Sequence, residues 1–162
     1  NIPSRSVIDM SVDTMSRLYE LKNIIGVKDA TGDLKRVDQQ LKSMGKDFLQ
    51  LTGEDGNALE FYKRGGKGCI SVTANVAAKL CSDFQSASLS SNDDEKQARA
   101  KEIDLALAPL HKALFIESNP SPVKYVAKLM GLCDDVVRLP LVNCTKETKK
   151  ILEEVSKKAK LI

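Results

Sequence analysis

The chain contains no tryptophan, and aromatic residues fill only 4% of its 162 positions. A core of stacked rings is therefore excluded, and an aliphatic one is predicted. A single histidine, His111, leaves no pair of imidazoles at metal-ligand spacing, so no metal is expected. It lies in an apolar helical segment and reads as a structural or surface residue. Cys69, Cys81, Cys133 and Cys144 form no C-x-x-C pair, which excludes a zinc ribbon or a thioredoxin-type redox motif. They are expected to be reduced, partly buried thiols of a cytoplasmic protein. No apolar run approaches the ~20 residues of a membrane-spanning helix, and no signal peptide is visible, so no membrane partner is expected. The net charge is only +3, and the lysines are dispersed along helices without interleaved aromatics. That balance argues against nucleic acid as a partner.

What is present suits one globular domain or a large piece of one: 42% of residues are hydrophobic and 29% charged. Residues 1–5, Asn-Ile-Pro-Ser-Arg, read as the end of a strand and the loop after it. Val12 to Leu21 has Met15, Leu18 and Leu21 at helical spacing. Residues 24–27, Ile-Ile-Gly-Val, read as a buried strand, followed by a helix that Asp33 can cap. That helix carries Leu34, Val37, Leu41 and Met44 on one face and stops at Gly45. Residues 48–51 form a second strand, and Ala58 to Lys63 a helix. Residues 68–73 form a third strand, rich in β-branched side chains. Asn75 can cap the helix that follows, with Val76, Leu80 and Phe84 on one side.

Strand and helix thus alternate at short spacing, which predicts a parallel sheet with right-handed crossovers. After the Ser-rich stretch at 86–91 the strand signal ends. Asp93 to Phe115 is a long helical pattern with Pro109 as a kink or break. Pro122 suits the start of another helix, and Thr145 caps a last one, with Ile151, Leu152, Val155 and Ala159 on its apolar side. The expected organisation is a partial barrel over residues 1–90 and a helical region over residues 91–162.

Lys28 ends the first strand and precedes a Gly-containing loop. In β/α barrels the C-terminal strand ends carry the reactive groups. A partly desolvated lysine there loses preference for its ammonium form, and its amine becomes nucleophilic toward a ketone. The iminium so formed is an electron sink for carbanion chemistry at the adjacent carbon.

Residues 24–32, Ile-Ile-Gly-Val-Lys-Asp-Ala-Thr-Gly, resemble the Schiff-base lysine motif of the dihydrodipicolinate synthase and N-acetylneuraminate lyase superfamily. Four further stretches agree in order and spacing. Residues 1–5 look like the family's Y-N-x-P-x-R segment without its tyrosine. Residues 51–55 look like the next strand-end motif, and residues 68–76 like the eighth-strand motif. Residues 119–124 with Arg138, Leu139 and Pro140 match the C-terminal helical region. The resemblance covers essentially the whole chain. It implies an α/β fold, the C-terminal part of a (β/α)8 barrel with about three βα units followed by an α-helical region.

The resemblance further implies a lyase of lysine biosynthesis. Lys28 would carry pyruvate as a Schiff base. Arg5 would bind the carboxylate of aspartate semialdehyde, a task its planar guanidinium suits. Ile70 would offer a backbone carbonyl to the pyruvate site, and Gly53 would allow close approach beside it. No cofactor is implied, because pyruvate is bound covalently as the substrate itself. The family's Thr-Thr pair and its two catalytic tyrosines have no counterpart here; Tyr19, Tyr62 and Tyr125 fall elsewhere. A cut barrel would expose sheet edges, so a homo-oligomer or a complementary N-terminal half is the expected partner. Two alternatives stand beside this reading. One is a catalytically inactive half-barrel that only self-associates. The other is a sialic acid or keto-sugar acid lyase of the same superfamily, against which Arg5 and residues 122–124 argue.

Overall fold

The computed structural model describes residues 1–90 and 92–162; Ser91, within the Ser-rich stretch, lies outside the described residues. The chain packs as two compact units. Unit 1 comprises Asn1–Ser71 with Ser88–Asp94, and unit 2 comprises Val72–Ala87 with Glu95–Ile162.

Unit 1 contains α1 (Pro3–Ser6), α2 (Val12–Tyr19), β1 (Gly26–Asp29), α3 (Lys35–Met44), β2 (Leu49–Thr52), α4 (Ala58–Lys63) and β3 (Gly68–Cys69). The strands form a parallel sheet in the order β1-β2-β3. Gly26, Val27, Lys28 and Asp29 lie opposite Leu49, Gln50, Leu51 and Thr52; Leu51 and Thr52 lie opposite Gly68 and Cys69. Helices return between strands, as parallel pairing requires.

The third strand is shorter than its β-branched run predicts. After Cys69 the chain leaves the sheet and turns into a 3-10 helix at Thr73–Asn75. Asn75 does not cap the next helix. Its side-chain amide donates to the Val72 carbonyl within that turn, at 2.9 Å. Residues 3–6, expected as a loop, make one helical turn. Pro3 supplies a pre-set φ, and the Arg5 and Ser6 N–H groups both donate to the Ile2 carbonyl. The strand-end character of the first residue is present nevertheless: Asn1 donates to the Lys28 carbonyl and accepts from the Ala30 N–H, alongside β1.

The sheet has two unlike faces. Side chains alternate along a strand, so Asp29, Gln50 and Thr52 share one face and Lys28 and Leu51 share the other. The first face is buried beneath α2 and α3, yet it is polar. The expected apolar face of α3 is accordingly rotated: Arg36, Val37 and Gln40 are buried, while Leu34, Leu41 and Met44 are only half-buried. The physical reason is Asp29, whose carboxylate needs partners from α3 once it is taken out of water. The second face is more open in part. Lys28 is exposed, Leu49 is 40% exposed and Ile25, expected in a buried strand, is 65% exposed.

The core of unit 1 also departs from the aliphatic expectation. Phe48, Phe61 and Tyr62 are buried there with Met15 and Val37, and Tyr19 packs edge-on against Phe48 at 5.0 Å. Few aromatics exist, but unit 1 concentrates them under short strands that offer little aliphatic surface of their own.

Unit 2 contains α5 (Ala78–Ser88, whose last residue falls in unit 1), α6 (Asp94–Ala113, whose first residue does likewise), α7 (Ser121–Leu129) and α8 (Lys146–Lys158). α5 runs into the Ser-rich stretch, so residues 86–88 are helical. α6 continues through Pro109. Pro122 sits in the first turn of α7, and the Thr145 hydroxyl accepts from the Thr148 N–H to cap α8. Leu107, Leu110, Leu114, Val126 and Leu152 are all but inaccessible, giving this unit the predicted aliphatic core. On α8 the buried line runs through Thr148, Leu152 and Ser156, leaving Ile151 42% exposed at its flank. His111 is buried, its Nδ1 2.7 Å from the Thr73 hydroxyl, which supports the structural role. All four cysteines are free, with Cys144 buried and Cys133 exposed.

Candidate active site

The C-terminal ends of β1 and β2, with the residue after β3, bring three of the predicted residues together. Lys28 occupies the third position of β1, Gly53 follows β2, and Ile70 follows β3. The Gly53 N–H donates to the Asp29 carbonyl at 2.8 Å, and the Ile70 N–H donates to the Thr52 carbonyl at 2.9 Å. These bonds extend the strand register and place Gly53 and Ile70 on the same sheet face as Lys28. Arg5 lies in α1, in the segment that Asn1 ties to β1. Its side chain is exposed and forms no ion pair among the described residues.

Lys28 was expected to be partly desolvated. It is exposed instead, as is Ile70 at the neighbouring strand end.

Directly behind Lys28 is a buried ionic network that the sequence pattern did not reveal. Arg36 Nε donates to Asp29 Oδ2 at 2.9 Å and Nη1 to Asp9 Oδ2 at 3.1 Å, while Nη2 donates to the Met10 carbonyl. Asp29 Oδ1 accepts the Thr31 N–H at 2.9 Å. Asn1 completes the set, donating from its side-chain amide to Asp9 at 2.8 Å and accepting from the Met10 N–H at 3.0 Å. Burial opposes ionisation of Asp29, but hydrogen bonds from Thr31 and the charge of Arg36 outweigh it and hold this carboxyl below its ordinary range. One arginine thereby pins β1 to the loop before α2, and through Asn1 to the segment that carries Arg5. Asp29 lies on a strand and Arg36 on the following helix, so their spacing carries no signal of one element's face, and only the fold could bring the pair together.

A second polar group gathers at the end of β2. Thr52 Oγ1 accepts the Glu54 N–H at 3.0 Å, fixing the backbone there. Burial and the neighbouring Asp55 carboxylate push the Glu54 carboxyl above its ordinary value, with the positive charge of Lys28 opposing them. Asp55 is buried and accepts from the Ser71 hydroxyl. Ammonium, carboxylate and hydroxyl groups thus collect at adjoining strand ends, and that arrangement can bind a small polar molecule and move protons around it. Among the described residues, no cluster of three or more His, Cys, Asp or Glu side chains could hold a metal ion. No helix among them is long and apolar enough to cross a membrane.

Parallel strands returned by helices, with reactive groups at the C-terminal strand ends, define part of a (β/α)8 barrel. The particular family follows from comparison with known proteins: residues 1–159 match the Dihydrodipicolinate synthetase family, and the chain belongs to it. It is 66% identical over 162 residues to the 4-hydroxy-tetrahydrodipicolinate synthase of Pelagibacter ubique, covering 100% of this chain and 55% of that protein. The crystal structure of dihydrodipicolinate synthase from Aquifex aeolicus superposes with a TM-score of 0.93 at 39% identity, over 99% of this chain and 54% of that one. The chloride-inhibited dihydrodipicolinate synthase of Acinetobacter baumannii, complexed with pyruvate, superposes with a TM-score of 0.92 at 38% identity, over 100% and 54%. The chain spans about half the length of the relatives it matches.

Proposed function

We propose that this chain is the lysine-bearing half of a 4-hydroxy-tetrahydrodipicolinate synthase, and that Lys28 forms the Schiff base with pyruvate. The observation that carries this reading is the common placement of Lys28, Gly53 and Ile70 on one sheet face at adjoining strand ends. The pyruvate complex of the Acinetobacter baumannii relative supports the choice of first substrate.

The chemistry follows from the amine. Neutral Lys28 Nζ attacks the ketone carbon of pyruvate to give a carbinolamine. Protonation of its hydroxyl and loss of water leave an iminium. Loss of a proton from the methyl carbon turns the iminium into an enamine, and that carbon attacks the aldehyde of aspartate semialdehyde. Arg5 would orient the carboxylate of this second substrate through paired hydrogen bonds. The Ile70 carbonyl would line the pyruvate site, and Gly53 would leave room beside it. No organic cofactor enters, since the iminium is itself the electron sink.

General acid–base groups contribute roughly 10²–10⁴-fold to such steps. The resemblance implies that a Thr-Thr pair and two tyrosines supply them, and none of these is in the chain. Schiff-base formation by the chain alone is therefore expected to be slow, and condensation slower still. The open sheet face is expected to pair with a second copy or with a complementary barrel half.

Intact mass after incubation with pyruvate and borohydride tests the reading. One reduced adduct is expected in the unaltered chain and none in Lys28→Ala. A folded chain that takes up no pyruvate would favour a second reading, a half-barrel that assembles without catalysis. The exposure of Lys28 is the observation on that side.

A further inference from the structure

We infer that Gly53 is a positioning residue for Lys28, because the space a side chain would fill at Gly53 is the space through which the Lys28 methylene chain runs. The inference rests on the proposed Schiff-base role for its consequence, but not for its geometry. A Cβ built on Gly53 would lie 2.8 Å from Lys28 Cε and 2.7 Å from Ala30 Cβ. Both contacts are closer than side chains tolerate, and they differ in kind. The Ala30 methyl is fixed to the backbone beside β1, so it resists displacement. The end of a lysine is flexible and yields by rotating about its own bonds, at a cost of one rotamer change.

A methyl group at Gly53 would thus do little lasting harm to the sheet if Ala30 gave way, but it would swing the amine off its present course. That course leads past Gly53, and the carboxyl of the next residue, Glu54, lies within the electrostatic reach of Lys28. The Gly53 backbone cannot retreat, because its N–H donates to the Asp29 carbonyl and the next residue is held by Thr52 Oγ1. Glycine at this position therefore keeps open the course along which the amine is presented. Its own φ lies outside the left-handed range, so the requirement is one of space and not of backbone freedom.

The test compares the unaltered chain with Gly53→Ala, Ala30→Gly and the double variant Gly53→Ala/Ala30→Gly. In the double variant the rigid clash is relieved and only the one with Lys28 remains. Two quantities are read by peptide mass spectrometry. One is the rate at which pyruvate with cyanoborohydride loads Lys28. The other needs no pyruvate: the extent of Lys28 acetylation by limiting acetic anhydride, relative to exposed Lys22 in the same molecule. A misplacement of about 1 Å is worth up to ~10²-fold in rate, so loading should fall about tenfold or more in both Gly53 variants and stay unchanged in Ala30→Gly. The acetylation ratio should shift in the two Gly53 variants alone. A double variant with the same acetylation ratio as Ala30→Gly overturns the inference, whatever its loading rate. If the unaltered chain takes up no pyruvate, the Schiff-base reading fails, and the acetylation ratio still decides the positioning role. If Gly53→Ala alone proves too unstable to study, the double variant carries the comparison.

Discussion

Unit 1 buries an arginine, two aspartates and two glutamines close to a sheet of short strands, whereas unit 2 buries leucines between helices. The two also differ in what they leave open. Unit 1 presents a sheet face on which Lys28 is exposed; unit 2 exposes apolar side chains such as Leu105, Val136, Leu139 and Val142 beside the charged flanks of its helices. A buried ion pair is a weak source of stability compared with well-packed hydrocarbon, but its directional bonds fix geometry. Unit 1 thus leans more on directional bonds behind Lys28, and unit 2 more on packed leucines, with one buried carboxylate, Asp135, paired to Lys128 and Lys149.

The sharpest way to break the contrast is Arg36→Met. It leaves Asp29 and Asp9 without their shared partner, and losing one member of a buried pair costs about 4 kcal/mol. Urea unfolding followed by circular dichroism should show that loss, and amide hydrogen exchange should place it in unit 1. If the substitution were neutral, the network would not hold β1 to the loop before α2. In unit 2, Leu152→Ala removes a side chain with no exposure at all. The cavity it leaves should cost about 3 kcal/mol, with faster exchange confined to unit 2. Thr145→Ala removes the cap of α8 together with the hydroxyl's bond to Glu117, and should cost about 1 kcal/mol in the same unfolding measurement.

The response to pH sharpens the comparison from opposite ends. Asp29 is held below its ordinary value of 3.8. A depressed carboxyl stabilises the fold above the unfolded value and loses that contribution as pH falls through the folded one. Unit 1 should therefore lose stability as pH drops below 3.8, and this acid limb should be missing in Asp29→Asn. In unit 2 the Tyr125 hydroxyl donates to Glu153 at 2.6 Å. That bond, with burial and the nearby carboxylates, pushes the phenol up to about 12. A raised group stabilises fully below its unfolded value of 10.0 and loses the effect as pH rises through the folded one. Tyr125→Phe should abolish the loss of stability between pH 10.0 and about 12.

Unit 2 was the more legible of the two in the sequence. Helical spacing, Pro122 at a first turn and the Thr145 cap are local signals, and each reappears in the structure. Unit 1 was legible in its strand–helix alternation and in Gly45 as a stop, because these too depend on neighbours in the chain. Its burial was not. Hydrophobic periodicity assigns Ile24, Ile25 and Leu34 to the interior, but in a piece of a barrel the face that strands turn inward need not be covered. Arg36 and Gln40 look like surface residues of an amphipathic helix until β1 brings Asp29 beneath them. Lys28 stands out by its strand-end position as well as by motif resemblance, Gly53 and Ile70 by resemblance alone, and the sheet register supplies the physical link among them. The steric hold of Gly53 on Lys28 needed coordinates.

The most direct test of the whole account is where pyruvate attaches. After treatment with pyruvate and borohydride, the chain would be digested and every lysine-containing peptide weighed. One adduct on the Lys28 peptide, with none on the exposed lysines of α8 such as Lys157 and Lys158, is the result predicted if the strand ends of unit 1 carry the chemistry. Adducts spread over both units in proportion to exposure would contradict it.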